Sequence, residues 1–187
     1  MTAVMAAPPS TEVVDDRLYE VVYGEKKEKT VGTRQNMIAS RLVRMIGRFD
    51  PEERIGFPVL ENLFVLDAAN DLQRRPDLAF VSRQRWPGLP PDSNAWDVVP
   101  DWMVEVISPS NSADEVIDKV DEYFRAGTRL VWVIYPNAQR VYVYMSPTDV
   151  TVCEATDEVS ADPVLPSFRF PAHTLFDGIA VAAKRTS

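Results

Sequence analysis

An α/β fold, a mixed β-sheet flanked by helices, is what this sequence predicts, and two stretches carry the prediction. Between residues 33 and 49 apolar side chains recur at helical spacing; from 102 to 146 an apolar strand, a helix and two further apolar strands follow in order. The strand–helix–strand order of the second stretch is a β-α-β unit.

The elements follow from the N-terminus. Residues 19–31 read as a short strand, a turn at Gly24 and a second, polar strand. Ile38, Leu42, Met45, Ile46 and Phe49 form one helical face, and the helix must end before Pro51. Apolar runs at 57–67 and 78–81 read as strands, with the turn-rich AANDLQRR between them closing a hairpin. The Pro-rich stretch 86–101 reads as an extended surface connection. Trp-Met-Val-Glu-Val-Ile-Ser (102–108) is a strand, and the helix after it starts at a Ser112/Glu115 capping box and stops at Gly127. Residues 130–136 and 140–145 are strands joined by the turn 136–139, VTVCEA is an edge strand, and SFRFPAHTLF is a docking tail. One domain over 16–180 is expected, with flexible tails at 1–15 and 181–187.

Composition narrows the chemistry. The chain has 187 residues, 45% hydrophobic and 26% charged, ample for a folded core. No apolar run approaches the roughly 20 residues of a bilayer span, and the N-terminus lacks a secretory signal, so a cytoplasmic protein without membrane contact is expected. One cysteine (Cys153) and one histidine (His173) exclude an intramolecular disulfide and a Cys/His zinc site. Cys153 reads as a core or edge-strand thiol, and His173 as a packing or capping residue. A metal would have to sit on carboxylates, which suits Mg2+ or Mn2+. The net charge of −8 opposes nucleic-acid binding in general. Two basic clusters, Lys26 to Arg48 and Arg74 to Arg85, are local exceptions, each equally readable as a solvated face.

Three residues stand out. Glu105 lies mid-strand among apolar neighbours, on the face of Met103 and Ile107, where an ionised carboxylate costs several kcal/mol unless a cation offsets it. It is a site residue or the partner of an arginine. Asp77 stands at the start of the Leu-Ala-Phe-Val strand, where a Pro-Asp turn is also ordinary loop chemistry. Lys119 falls on the border of the helical stripe Val116, Val120, Tyr123; it either reaches the end of the Glu105 strand or snorkels to water. Asp118, Asp121 and Glu122 are expected to point elsewhere. Two carboxylates on neighbouring strands plus a lysine suit metal-dependent phosphodiester cleavage.

Arg-Pro-Asp-Leu-Ala-Phe-Val (75–81), Asp-Trp-Met-Val-Glu-Val-Ile-Ser-Pro-Ser (101–110), Asp-Lys-Val-Asp-Glu-Tyr-Phe-Arg-Ala-Gly (118–127) and Leu-Val-Trp-Val-Ile-Tyr-Pro (130–136), in that order and spacing, resemble the Uma-type restriction-endonuclease family of the PD-(D/E)XK nucleases. The N-terminal Tyr-Glu-x-x-x-Gly-Glu stretch matches at Tyr19, Glu20, Gly24 and Glu25. The resemblance runs from about Tyr19 to Phe176. It implies a restriction-endonuclease-like core, Asp77 and Glu105 as Mg2+ or Mn2+ ligands, and Lys119 as the catalytic lysine displaced onto the next helix, since Ile107 occupies the usual Glu-x-Lys position. A third carboxylate would come from Glu25 or a residue such as Glu61. The implied activity is a metal-dependent endonuclease acting on DNA; the alternative is a catalytically inactive interaction module. A homodimer is also expected, with the aromatic stretch Trp86 to Trp102 as a candidate surface or, alternatively, as a cap on the core.

Overall fold

A computed structural model of the chain describes residues 17–86, 88 and 95–179. The expected tails at 1–15 and 181–187 lie outside these residues, as do residues 87 and 89–94 of the Pro-rich connection. Three sheets and two helices make up the described fold. The hairpin strands β1 (Tyr19–Val22) and β2 (Glu25–Glu28) precede α1 (Thr33–Phe49), whose span matches the apolar periodicity. Strands β3 (Gly56–Leu60), β4 (Phe64–Asp67), β5 (Leu72–Arg74), β6 (Leu78–Ser82) and β7 (Trp102–Val106) follow. Helix α2 (Ala113–Ala126) then leads to β8 (Leu130–Tyr135), β9 (Arg140–Ser146), β10 (Asp149–Cys153), β11 (Glu158–Ser160) and β12 (Arg169–Pro171).

The main sheet has the order β10-β9-β8-β7-β6-β3, and only β7 and β8 run parallel, the expected β-α-β unit. A smaller sheet, β2-β1-β5-β4, packs beside it. The expected hairpin over 57–81 is corrected here. The run 57–67 divides into β3, which does pair antiparallel with β6, and β4, which pairs with β5 in the second sheet. Strand β5 lies inside the segment read as a turn. Its residues Leu72 and Arg74 are buried, but three residues give too short an alternation to register against the turn-forming letters before them.

Alternation along the central strands feeds two cores. Leu78, Phe80, Trp102, Val104, Leu130 and Trp132 face α1 and the C-terminal segment, where Phe168, Phe170, Leu175 and Phe176 dock as expected. Ala79, Val81, Met103, Val131 and Val133 face α2 and the small sheet. Trp96 and Trp102 are buried, and Trp86 packs edge-on against Trp96, so the described tryptophans of the aromatic stretch pack onto the core. Among the described residues no helix is long and apolar enough to cross a membrane.

Several cations of the basic clusters are engaged within the molecule, whereas Lys26, Lys27, Arg44 and Arg48 are exposed. Arg41 donates to the carbonyls of Thr174, Leu175 and Asp177, clamping the C-terminal segment onto α1. Arg83 and Arg85 donate to the carbonyls of Glu53, Val99 and Gly127. Cys153 is buried and unbridged, as expected. His173 is exposed; its backbone N–H donates to the Ala155 carbonyl and its own carbonyl accepts from the Phe176 N–H.

Candidate active site

Strand register builds the site. Leu60 and Leu78 are paired across β3 and β6, and Leu78 and Val104 across β6 and β7. One residue further along each strand stand Glu61, Asp77 and Glu105, a row of carboxylates across three neighbouring strands. Like charges in such a row repel, so the arrangement demands cations. Two lysines provide them. Lys29, just after β2, places its ammonium 2.9 Å from Asp77 Oδ1 and 2.9 Å from Glu61 Oε2. Lys119 lies 3.4 Å from Glu105 Oε1 and 3.1 Å from Glu20 Oε1.

Helix α2 delivers Lys119 because its ends are fixed. The Ser112 side chain accepts from the Glu115 N–H, and Gly127 takes the left-handed C-cap conformation at φ 105°. The buried stripe Val116, Val120, Tyr123 then packs on the β7–β8 face, and Lys119 is carried inward with it. Lys119 is only 6% exposed, so the snorkelling alternative does not hold. Tyr123 donates a hydrogen bond to Glu105 Oε1. No arginine meets Glu105; its partners are Lys119 and the Tyr123 hydroxyl. Asp77 Oδ2 accepts the Val106 N–H at 2.6 Å, which fixes the carboxylate plane and leaves Oδ1 to Lys29.

Several members of the cluster were not singled out from the sequence. Arg74, on β5, donates to Glu20 Oε2 at 2.9 Å and to Glu122 Oε2 at 2.7 Å, all three side chains being buried. Glu20 also accepts the Arg75 N–H. Glu122 therefore points inward, against expectation; it lies one helical turn beyond Lys119, on the same flank of the stripe. Glu20 carried a legible signal, since alternation places it on the buried side with Val22. Lys29 carried none, sitting outside the strand in a run of exposed lysines. Glu25 stands exposed on β2 and is not brought into the cluster; Glu61 is the acid that joins Asp77.

Burial and charge oppose each other throughout the cluster. Burial raises the Glu105 pKa, with Lys119 and Lys29 pulling down and Asp77 and Glu20 pushing up. Burial also brings the Glu61 carboxyl up to about 7, Asp77 adding to the rise against the pull of Lys29. For Glu20 burial is outweighed by Lys119 and Arg74, and its pKa is lowered. Burial works against the charge of Lys29, but Asp77, Glu105 and Glu61 outweigh it and raise its pKa.

Glu20, Lys29, Asp77, Glu105 and Lys119 line one wall of a cleft of about 810 Å³ between the β1–β2 hairpin and α2, bordered by the serine-rich turn after β7. Among the described residues no three acid, histidine or cysteine side chains enclose a metal position by themselves. The donor chemistry nevertheless fits Mg2+ or Mn2+: Glu61, Asp77 and Glu105 set hard carboxylate oxygens side by side across neighbouring strands. Asp77 and Glu105 would hold such an ion, and solvent or substrate oxygens from the cleft would complete its shell.

No curated protein matches the sequence. Among solved structures, the fold matches the crystal structure of a "putative nuclease belonging to DUF820" from Anabaena variabilis with a TM-score of 0.74. The two chains are 24% identical over 84% of this chain and 89% of the other, a likeness of fold. The profile of the Uma2 family, described as "Putative restriction endonuclease", matches residues 10–174. With a match of that length, the chain belongs to the Uma2 family.

Proposed function

We propose that the protein is a divalent-metal-dependent endonuclease that hydrolyses phosphodiester bonds in DNA, with Asp77 and Glu105 as ligands to Mg2+ or Mn2+ and Lys119 beside them. The observation that carries the reading is the register placing Asp77 and Glu105 side by side on β6 and β7 under Lys119, at the wall of an open cleft. A bound divalent ion would activate a water and neutralise charge on the phosphate. Asp77 presents Oδ1 toward the cation position because Val106 holds Oδ2. Lys119 sets a positive charge where negative charge grows on the phosphate oxygens. Glu61, beside Asp77, takes the third-carboxylate role in place of Glu25. Lys27, Lys29 and Arg125 line the same cleft, but so do Asp114, Asp118 and Asp121, so metal charge is needed to admit a polyanion.

The rival reading, a catalytically inactive protein that keeps the nuclease fold, is favoured by one observation: Lys29 already neutralises Asp77. Metal titration separates the two. Millimolar Mg2+ or Mn2+ should raise the melting temperature of the wild type and leave Asp77→Asn unmoved. An unchanged wild-type melting curve, with no cleavage of single- or double-stranded DNA, selects the rival.

Cutting both strands of a duplex calls for two such sites, and a closed homodimer supplies them most simply. Light scattering should then give twice the 21.1 kDa chain mass. A monomer at all concentrations removes the dimer from the proposal.

A further inference from the structure

The ammonium of Lys29 is held as a metal ion would be. Three oxygens converge on its Nζ: Asp77 Oδ1 at 2.9 Å, Glu61 Oε2 at 2.9 Å and the Arg75 carbonyl at 2.5 Å. Two carboxylates and a backbone carbonyl are the donors a hard divalent cation takes from a protein. The lysine is buried, with an 11% exposed side chain, and its own N–H is tied to the Leu18 carbonyl at the base of the β1–β2 hairpin. Its backbone is therefore anchored, and displacing the ammonium requires only rotation about the bonds of its four-carbon stem. The cage opens to the cleft, which Lys29 and Asp77 line together.

We propose that Lys29 is a tethered placeholder cation: its ammonium occupies the Asp77–Glu61–Arg75 carbonyl cage in the metal-free protein, and a divalent ion binds Asp77 only by displacing it into the cleft. The physical reason is exclusion. Two cations cannot share Asp77 Oδ1 at hydrogen-bonding distance, because at such separations like charges in a partly buried site repel strongly. Without either cation Glu61 and Asp77 would lose the charge that pairs them, beside a Glu105 held by Lys119, so the ammonium keeps the empty site folded and the ion takes over its charge. Apparent metal affinity is then set by a competition inside the chain, since a site available only part of the time binds more weakly by that fraction. The inference rests on the metal-dependent reading above and adds the device that regulates it.

Two measurements decide it, neither of which reads cleavage. The first uses the wild type: acylation of lysines by an amine-reactive reagent, followed by mass spectrometry with and without saturating Mg2+. Lys29 should be slow to react without metal and several-fold faster with it, while the exposed Lys27 reacts alike in both. The second is Mn2+ binding followed by loss of the free-ion electron paramagnetic resonance signal. Lys29→Met should tighten binding about tenfold or more, because the competing charge is gone. Lys27→Met, which removes an equal charge from the same cleft outside the cage, should change it by no more than about twofold. If Lys29→Met does not fold, the acylation result on the wild type stands alone. Mn2+ binding that is equal in wild type and Lys29→Met, with Lys29 acylation indifferent to Mg2+, overturns the placeholder and leaves the metal site standing. No Mn2+ bound by either protein overturns both.

Discussion

Arg74→Met should cost the protein about 3–5 kcal/mol of folding stability at neutral pH. Arg74 is 5% exposed and bridges Glu20 and Glu122, so the substitution strands two carboxylates in a buried cluster. Lys119 still meets Glu20, but among the described residues no second cation pairs with Glu122. Methionine fills most of the arginine stem's volume, so the loss measures charge more than packing. Adding Glu122→Gln should recover a good part of it, since removing both members of a buried pair costs far less than removing one. The pH dependence follows in sign. In the wild type Glu20 has a lowered pKa, so its contribution is present above the unfolded carboxyl value and fades as pH falls through the folded one. In the variant Glu20 loses one of the cations that lower it, its pKa moves up, and that contribution shrinks. The gap between the proteins should therefore be full at about pH 7 and narrow by about pH 4, below the ordinary carboxyl value of 4.5, in urea unfolding. A deficit below about 1 kcal/mol, equal at both pH values, would show that the bridge adds little.

Sequence periodicity resolves long elements and leaves short ones hidden. The span of α1 follows from its apolar spacing, and the ends of α2 from the Ser112 cap and Gly127, because those signals are local to the chain. Parity along β7 placed Glu105 on the face of Met103, and that face does meet α2. Asp77 and Lys119 could be suspected as strand-start and stripe-border residues, but their convergence depends on β6 pairing with β7. The rest of the cluster is long-range. Arg74 meets Glu20 from 54 residues away and Glu122 from 48, and no window of sequence records that pairing. Lys29 reaches Asp77 only because β3 and β6 pair and the β1–β2 hairpin folds over their end. Glu122 was misplaced because a helix face is not simply in or out: its flank follows Lys119 into the charged cluster, where α2 leaves the apolar core. The acidic overall charge likewise said little about the site, in which acids and bases are interleaved at hydrogen-bonding distance.

Glu105→Gln should abolish metal-dependent cleavage and remove the metal-induced rise in melting temperature, while leaving metal-free stability equal or slightly higher. The amide keeps an oxygen to accept from Tyr123, so the short hydrogen bond survives in form. Lys119 keeps its nearer partner, Glu20 Oε1 at 3.1 Å, against 3.4 Å for Glu105. What disappears is an ionised carboxylate whose burial outweighs the help of its cations, in a row where Asp77 and Glu20 already repel it. The change in urea unfolding without metal should lie within about 1 kcal/mol, on the stabilising side. Cleavage should fall to background, because groups that act as one unit fail together when one is removed. A purely structural Glu105 gives the opposite pattern: Lys119 would be left partly uncompensated, the variant would lose about 3–5 kcal/mol, and its response to Mg2+ would match the wild type. Melting and unfolding thus distinguish the two roles even before a cleavable substrate is found, and a clear stability loss with the metal response intact would place Glu105 in the scaffold.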